Sequence, residues 1–205
     1  IQLLPPEITL AFSPEGNSLG RWMQAARQAG HEILLQVALE PFDYPRVDPG
    51  RHTLTVAAPP AKTLENLHKV MARLTNYTGV MNYMGARFTA DTAALSPVMQ
   101  DLAKRGLLYL DDGTSARSRA ETIAAQQGTP FAAGDVLIDA LQERGGILAK
   151  LDEVERIARA KGTAIATGSA FDVTVDAVAS WANEAKARGI EIVPVSALVR
   201  DPEKG

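Results

Sequence analysis

Apolar residues in this chain fall into short blocks separated by longer stretches of helical periodicity. The blocks 33–39, 107–111, 164–167 and 190–195 are β-branched or leucine-rich and apolar at nearly every position, the signature of parallel strands covered on both faces. Between them, spacings of three and four, such as Leu151, Val154, Ile157 and Ala158, give helices one apolar stripe to lay on a sheet. Four of the junctions share one form. Arg27-Gln28-Ala29-Gly30, Ala103-Lys104-Arg105-Gly106, Arg159-Ala160-Lys161-Gly162 and Lys186-Ala187-Arg188-Gly189 each end in glycine and lead into an apolar run. Glycine accepts the left-handed conformation that closes a helix, and the cations beside it suit the negative end of the helix dipole.

The pattern predicts strands over 8–13, 33–39, 79–82, 107–111, 164–167 and 190–195, with a short extended piece at 136–138. Helices are predicted over 18–29, 62–75, 97–105, 116–127, 147–161 and 175–188. Ser96-Pro97 reads as a helix start, and Thr114 or Ser115 as the cap of the next helix, because a hydroxyl accepts from free amides and proline loses nothing at the first helical position. Strict alternation of strand and helix implies a doubly wound sheet or a (β/α) barrel. Six or seven strands make such a barrel incomplete, since a full one has eight.

Composition removes several classes of function. At 205 residues, 46% hydrophobic and 22% charged, the chain suits one well-packed domain. A net charge of −3 and a pI near 5.7 build no basic field for nucleic acid. Cysteine is absent, which excludes disulfides and thiolate ligation. No apolar stretch approaches the roughly 18 residues of a membrane span, and the opening Ile1-Gln2-Leu3-Leu4-Pro5-Pro6 is not a signal segment.

Folds of this kind place ligands at the carboxyl ends of their strands. The residues there are Ser13, Glu40, Asn82 with Tyr83, Asp111 with Asp112, Thr167 with Ser169, and Ser196. Nearly all are polar, and Glu40, Asp111 and Asp112 make the expected rim acidic. Asp, Ser and Asn also start loops and cap helices. Glu40 is a poor cap, precedes Pro41 and opens a proline-rich loop carrying Pro45, Pro49, Pro59 and Pro60. In the run Asn82-Tyr83-Met84-Gly85-Ala86-Arg87-Phe88-Thr89, glycine permits a turn, arginine can bind a carboxylate or steady an oxyanion, and Asn and Tyr offer neutral hydrogen bonds. None of the three histidines, His31, His52 and His68, follows a strand. No Ser/His/Asp arrangement, P-loop or GxGxxG motif is present,.

Taken in order, Leu4-Pro5-Pro6-Glu7-Ile8-Thr9-Leu10-Ala11-Phe12-Ser13-Pro14, Ala29-Gly30-His31-Glu32, Leu39-Glu40-Pro41 with Tyr44-Pro45 and Asp48-Pro49-Gly50, the 82–89 run, Gly106-Leu107-Leu108-Tyr109-Leu110-Asp111 and Val193-Pro194-Val195-Ser196 resemble the divergent polysaccharide deacetylase family across essentially the whole chain. The resemblance implies an incomplete (β/α) barrel, a periplasmic or envelope setting, and kinship with metal-dependent enzymes that remove acetyl groups from N-acetylated sugars. It also implies a leading strand ending in an Asp pair, upstream of Ile1. Where the family usually has Asn-His before Met-Gly, this chain has Asn82-Tyr83, and Ser169 stands where a histidine is often found. A zinc site would thus miss most of its nitrogen donors, and oxygen ligands alone suit a harder cation.

Three functions follow as expectations. One is metal-assisted deacetylation of envelope carbohydrate, with Glu40 and Asp111 catalytic and Asn82, Tyr83, Arg87, Asp112 and Ser169 on the substrate; the cation, zinc by resemblance, would be held by Asp111, Glu40 and an Asp of the upstream strand. The second is a non-catalytic carbohydrate-binding or envelope-interaction module on the same barrel. The third makes Glu40 and Asp111 the acid and base of a glycosidase, which needs no metal.

Overall fold

The computed structural model describes residues 1–199. The first strands and helices are β1 (Leu10–Phe12), α1 (Leu19–Gln28), β2 (Ile33–Leu39), α2 (Pro60–Met71), β3 (Gly79–Met84), α3 (Thr92–Arg105) and β4 (Leu108–Asp111). They are followed by α4 (Ala120–Gln127), β5 (Phe131–Ala133), β6 (Val136–Leu137), α5 (Arg144–Lys161), β7 (Ala166–Thr167) and α6 (Asp172–Ala185). Strands β1 to β5 form one parallel sheet in chain order, and β6 pairs with β7, also parallel. This α/β architecture is that of an incomplete barrel.

Strand alternation sorts the side chains into two layers. Leu35, Val37 and Leu39 of β2, Val80 of β3 and Tyr109 of β4 point outward and pack with Leu67, Val70, Leu95, Met99 and Leu102 of the helices. Leu34, Met81, Leu108, Leu110 and Ala132 point inward and fill the barrel, joined by Ala11, Ile165 and Val195. Burial of each large side chain contributes about 1.5–3 kcal/mol. A second outer core, Val136, Ile138, Ile147, Leu151 and Ala177, joins β6 to α5 and α6.

The two sheets meet at a junction that only glycine allows. Gly134 N–H donates to Asp111 O, and Thr167 Oγ1 donates to Asp112 O. A Cβ on Gly113 would lie 2.0 Å from the carbonyl oxygen of Gly134, and one on Gly134 would lie 2.8 Å from that of Asp112.

The glycine stops are found as read: Gly106, Gly162 and Gly189 close their helices in the left-handed conformation, and Gly30 follows α1 with φ of 86°. Several boundaries differ. Helix α3 starts at Thr92, not at Ser96-Pro97, because the Asp91 carboxylate accepts from Ala94 N–H and caps it; Pro97 lies inside the helix. Neither Thr114 nor Ser115 caps α4, whose cap position is Arg119; residues 115–118 form a turn closed by Ser118 N–H to Ser115 O. Strand β5 was hidden in Thr129-Pro130-Phe131-Ala132-Ala133, too short and small for the periodicity to mark. The segment 190–195 is not a strand: Ile190 N–H goes back to Ala185 O, Val195 N–H goes to Thr9 Oγ1, and the following Ser196 N–H goes to the Glu32 carboxylate. The last two bonds draw it across the amino end of the barrel, where Val195 plugs the interior.

Candidate functional site at the carboxyl end of the barrel

Glu40 follows β2 and spends every polar group it has. Its N–H donates to Leu54 O, and its carbonyl accepts from the N–H groups of Arg87 and Phe88. Its buried carboxylate accepts from Val56 N–H at 2.6 Å through Oε2 and from Arg87 Nη1 at 2.8 Å through Oε1. Two segments therefore close on one residue. The proline-rich loop leaves at Pro41 and returns to lie beside β2, with Leu54 bridged to Leu39. The 85–88 turn comes from β3, where Met84 and Gly85 have φ of 57° and 98° and a Cβ on Gly85 would lie 2.4 Å from that of Leu39.

Asn82 and Asp111 lie on the outer, helix-facing side of the sheet, in line with Val80 and Tyr109. The Asn82 amide donates to Met84 O at 2.8 Å and accepts from Asp112 N–H at 2.9 Å. Asp111 accepts from Gly113 N–H at 2.9 Å and from the Ser118 hydroxyl at 2.5 Å. Burial pushes its carboxyl above the usual aspartate value; the bonds from Ser118 and Gly113 oppose that shift, and the charge of Asp112 adds to it. Asp112 itself accepts from the N–H and hydroxyl of Thr114. Ser169 N–H donates to the carboxylate of Asp139 at 2.6 Å.

Glu40, Asn82, Tyr83, Arg87, Asp111, Asp112 and Ser169 thus stand at one pole, at or after the carboxyl ends of parallel strands, whereas Ser196, expected at the same rim, lies at the amino end beside Glu32. Glu40 and Arg87 are brought into contact, as are Asn82 and the backbone of Asp112. Asp111 is separated from Glu40 by β3, and by strand alternation it faces the helices, whereas Glu40 continues the inward series of Leu34, Gln36 and Ala38. Tyr83 shares the inward parity of Met81 and is 42% exposed. Phe42, Met84, Leu137 and Phe171 are likewise exposed, all at or beyond strand ends. The Arg117 guanidinium lies 5.5 Å from the centre of the Phe42 ring.

Asp139 is the residue that sequence reading missed. It is buried after β6, and its carboxylate also accepts from the Thr174 hydroxyl at 3.1 Å, which ties β6 to the start of α6. The signal was available: Asp139 is the first polar residue after Val136-Leu137-Ile138, where the strand-end rule applies as it does at Glu40. Of the histidines, His31 is buried at the opposite pole with Nδ1 donating to Ile8 O, and His68 lies on α2 beside Asp101.

No three His, Asp or Glu side chains gather closely enough among the described residues to hold a metal ion. The carboxylates of Glu40 and Asp111 are bonded to the loops they start, and that of Asp139 to the segment after β7. These donors do not fit a zinc centre. No helix among the described residues is long and apolar enough to cross a membrane.

Similarity to known proteins agrees with this architecture. A solved structure, of an uncharacterized protein ATU2773 from Agrobacterium tumefaciens C58, superposes with a TM-score of 0.94 at 56% identity, covering 96% of this chain and 80% of that one. An uncharacterized protein of Haemophilus influenzae is 27% identical over 165 residues, and the uncharacterized protein YibQ of Escherichia coli is 23% identical over 204. The matches cover 80% and 98% of this chain but only 58% and 62% of those relatives, so the chain spans about three-fifths of their length. The family model described as divergent polysaccharide deacetylase matches residues 1–199, and the chain belongs to that family.

Proposed function

We propose that this chain is a carbohydrate-binding module of the bacterial envelope, built on a deacetylase barrel whose polar rim serves loop architecture. One observation carries the reading: the side chains of Glu40, Asn82, Asp111 and Asp139 are hydrogen-bonded to the segments they anchor, whereas Tyr83, Phe42 and Phe171 stand exposed at or beyond strand ends. Exposed aromatic faces stack on the C–H faces of sugar rings, and a polar tip orients the hydroxyls. Asp112 and Ser169 supply nearby polar groups, and Arg87 keeps donors free beyond its bond to Glu40.

The hydrolytic reading has one observation in its favour, the buried carboxyl of Asp111 with its raised pKa, since a raised pKa suits a proton donor. Its position on the helix-facing side of β4 favours the structural role.

The deciding experiment titrates the protein with N-acetylglucosamine oligomers and measures acetate in the same samples. Saturable binding without acetate supports the module. Acetate release that is lost in Asp111→Asn overturns it in favour of the deacetylase, and absence of binding at millimolar oligomer overturns the carbohydrate reading itself.

A further inference from the structure

Strand β1 stops at Phe12 for a chemical reason. Alternate residues of β1 donate to carbonyls of β2: Leu10 N–H goes to Glu32 O, and the pairing of Ala11 with Leu34 puts Phe12 N–H on Leu34 O. The next donor in the series is residue 14, which is Pro14 and has no N–H,. The same edge of β2 is taken up again two residues on, where Leu54 N–H donates to Ala38 O and Glu40 N–H donates to Leu54 O. Odd-numbered residues of β2 serve the other edge, as Thr78 N–H to Ile33 O shows. Between Pro14 and Leu54, the carbonyl of Gln36 and the N–H of Ala38 have no hydrogen-bond partner among the described residues. They open on a cavity of about 330 Å³ lined by Ser13, Glu15, Arg51, His52, Val70 and Tyr83, among others.

We infer that this gap binds an α-amino-acid unit with a free carboxylate and a small apolar side chain, either a free amino acid or the last residue of a peptide. One extended residue running parallel to β2 completes the ladder. Its N–H or ammonium donates to Gln36 O, and its carboxylate accepts from Ala38 N–H, repeating two residues earlier what Leu54 does. The polarity matches the charges. A parallel residue points its carboxylate toward the Leu54 side, where Arg51 and His52 line the cavity, and its amino end toward Ser13 and Glu15. Neither Arg51 nor Glu15 is in an ion pair among the described residues. The side chain shares the outward face of Val37, its lateral neighbour, and meets Val70. This ligand is distinct from the proposed carbohydrate, and the inference stands without that reading.

The test follows backbone amides of the ¹⁵N-labelled chain during titration with L-alanine, N-acetyl-L-alanine and N-acetyl-L-alaninamide. The Ala38 amide shifts saturably with one or both carboxylates, and the tighter of the two identifies a free amino acid or a peptide end as the source. The carboxyl-blocked amide binds about tenfold more weakly, as does N-acetyl-L-alanine to Arg51→Gln. Pro14→Ala restores the missing donor, lets β1 extend onto Gln36 and abolishes binding with Tm unchanged or raised. Ala38→Pro removes an N–H that bonds nothing in the chain, and so keeps the fold while losing the ligand. No saturable shift at Ala38 with any probe at millimolar concentration overturns the inference, as does undiminished binding by a folded Pro14→Ala or Ala38→Pro protein.

Discussion

Glu40 and Arg87 are 47 residues apart and meet at 2.8 Å, with the carboxylate only 5% exposed and the guanidinium 48% exposed. The buried partner is the one that also holds Val56 N–H, so the pair joins the proline-rich loop after β2 to the turn after β3. The ion pair is the exposed half of a larger structural knot.

Unequal exposure makes the two residues unequal in stability. Glu40→Ala leaves Val56 N–H without its acceptor and removes the contact to Arg87, costing about 2–4 kcal/mol. Arg87→Ala leaves a carboxylate that still has Val56, and its half-exposed cation is screened by water, so the cost is roughly 0.5–1.5 kcal/mol. Urea melts of the two variants check the order; an equal or larger loss for Arg87→Ala contradicts it.

Asp111 makes stability depend on pH in a defined direction. Its native pKa is raised above the ordinary 3.8, chiefly by burial, so the native state holds the proton more tightly than the unfolded chain. Its contribution to stability is fully present below the unfolded value and is lost as pH rises through the native one. A carboxamide at this position cannot ionise, so Asp111→Asn is expected to be more costly at about pH 3 than at about pH 7, because at neutral pH the wild type bears the buried charge. Chemical melts of both proteins at the two pH values measure this, and a pH-independent difference refutes it.

At the junction of the two sheets, Gly113 has φ of 74° and its Cβ would sit 2.0 Å from Gly134 O. Gly113→Ala must therefore separate β4 from the 133–135 segment, at a cost of roughly 2–4 kcal/mol. Gly128→Ala is the comparison, because Gly128 also has positive φ, 69°, but open space around its Cβ. It should cost only about 1 kcal/mol. Equal Tm losses would show that backbone strain, not the clash, limits both.

Tyr83 offers a separation of binding from stability. Its ring is 42% exposed, so Tyr83→Ala should change unfolding free energy by less than about 1 kcal/mol. Loss of the stacking face should weaken binding of N-acetylglucosamine oligomers about tenfold. Calorimetric titration beside a thermal melt reads both quantities; unchanged affinity removes Tyr83 from the ligand surface.

Sequence alone determined the serial αβ architecture, because helix stops and strand periodicity are local. Gly106, Gly162 and Gly189 take left-handed caps whatever surrounds them, and Ile33–Leu39 is apolar enough to demand cover on both faces. It also placed Glu40, Asn82, Asp111 and Ser169 at one pole, since parallel strands all end on the same side. What each residue does there was decided by tertiary structure. Alternation turns Asp111 to the helix layer and Tyr83 to the barrel mouth, and the return of Val56 and Arg87 to Glu40 depends on loop closure across 16 and 47 residues. The same holds for 190–195, where the side chains of Thr9 and Glu32 take the amides of Val195 and of the next residue, Ser196, in place of a strand neighbour. Local pattern fixes where a polar group stands along the chain; its partners come from segments that only folding brings within hydrogen-bond reach.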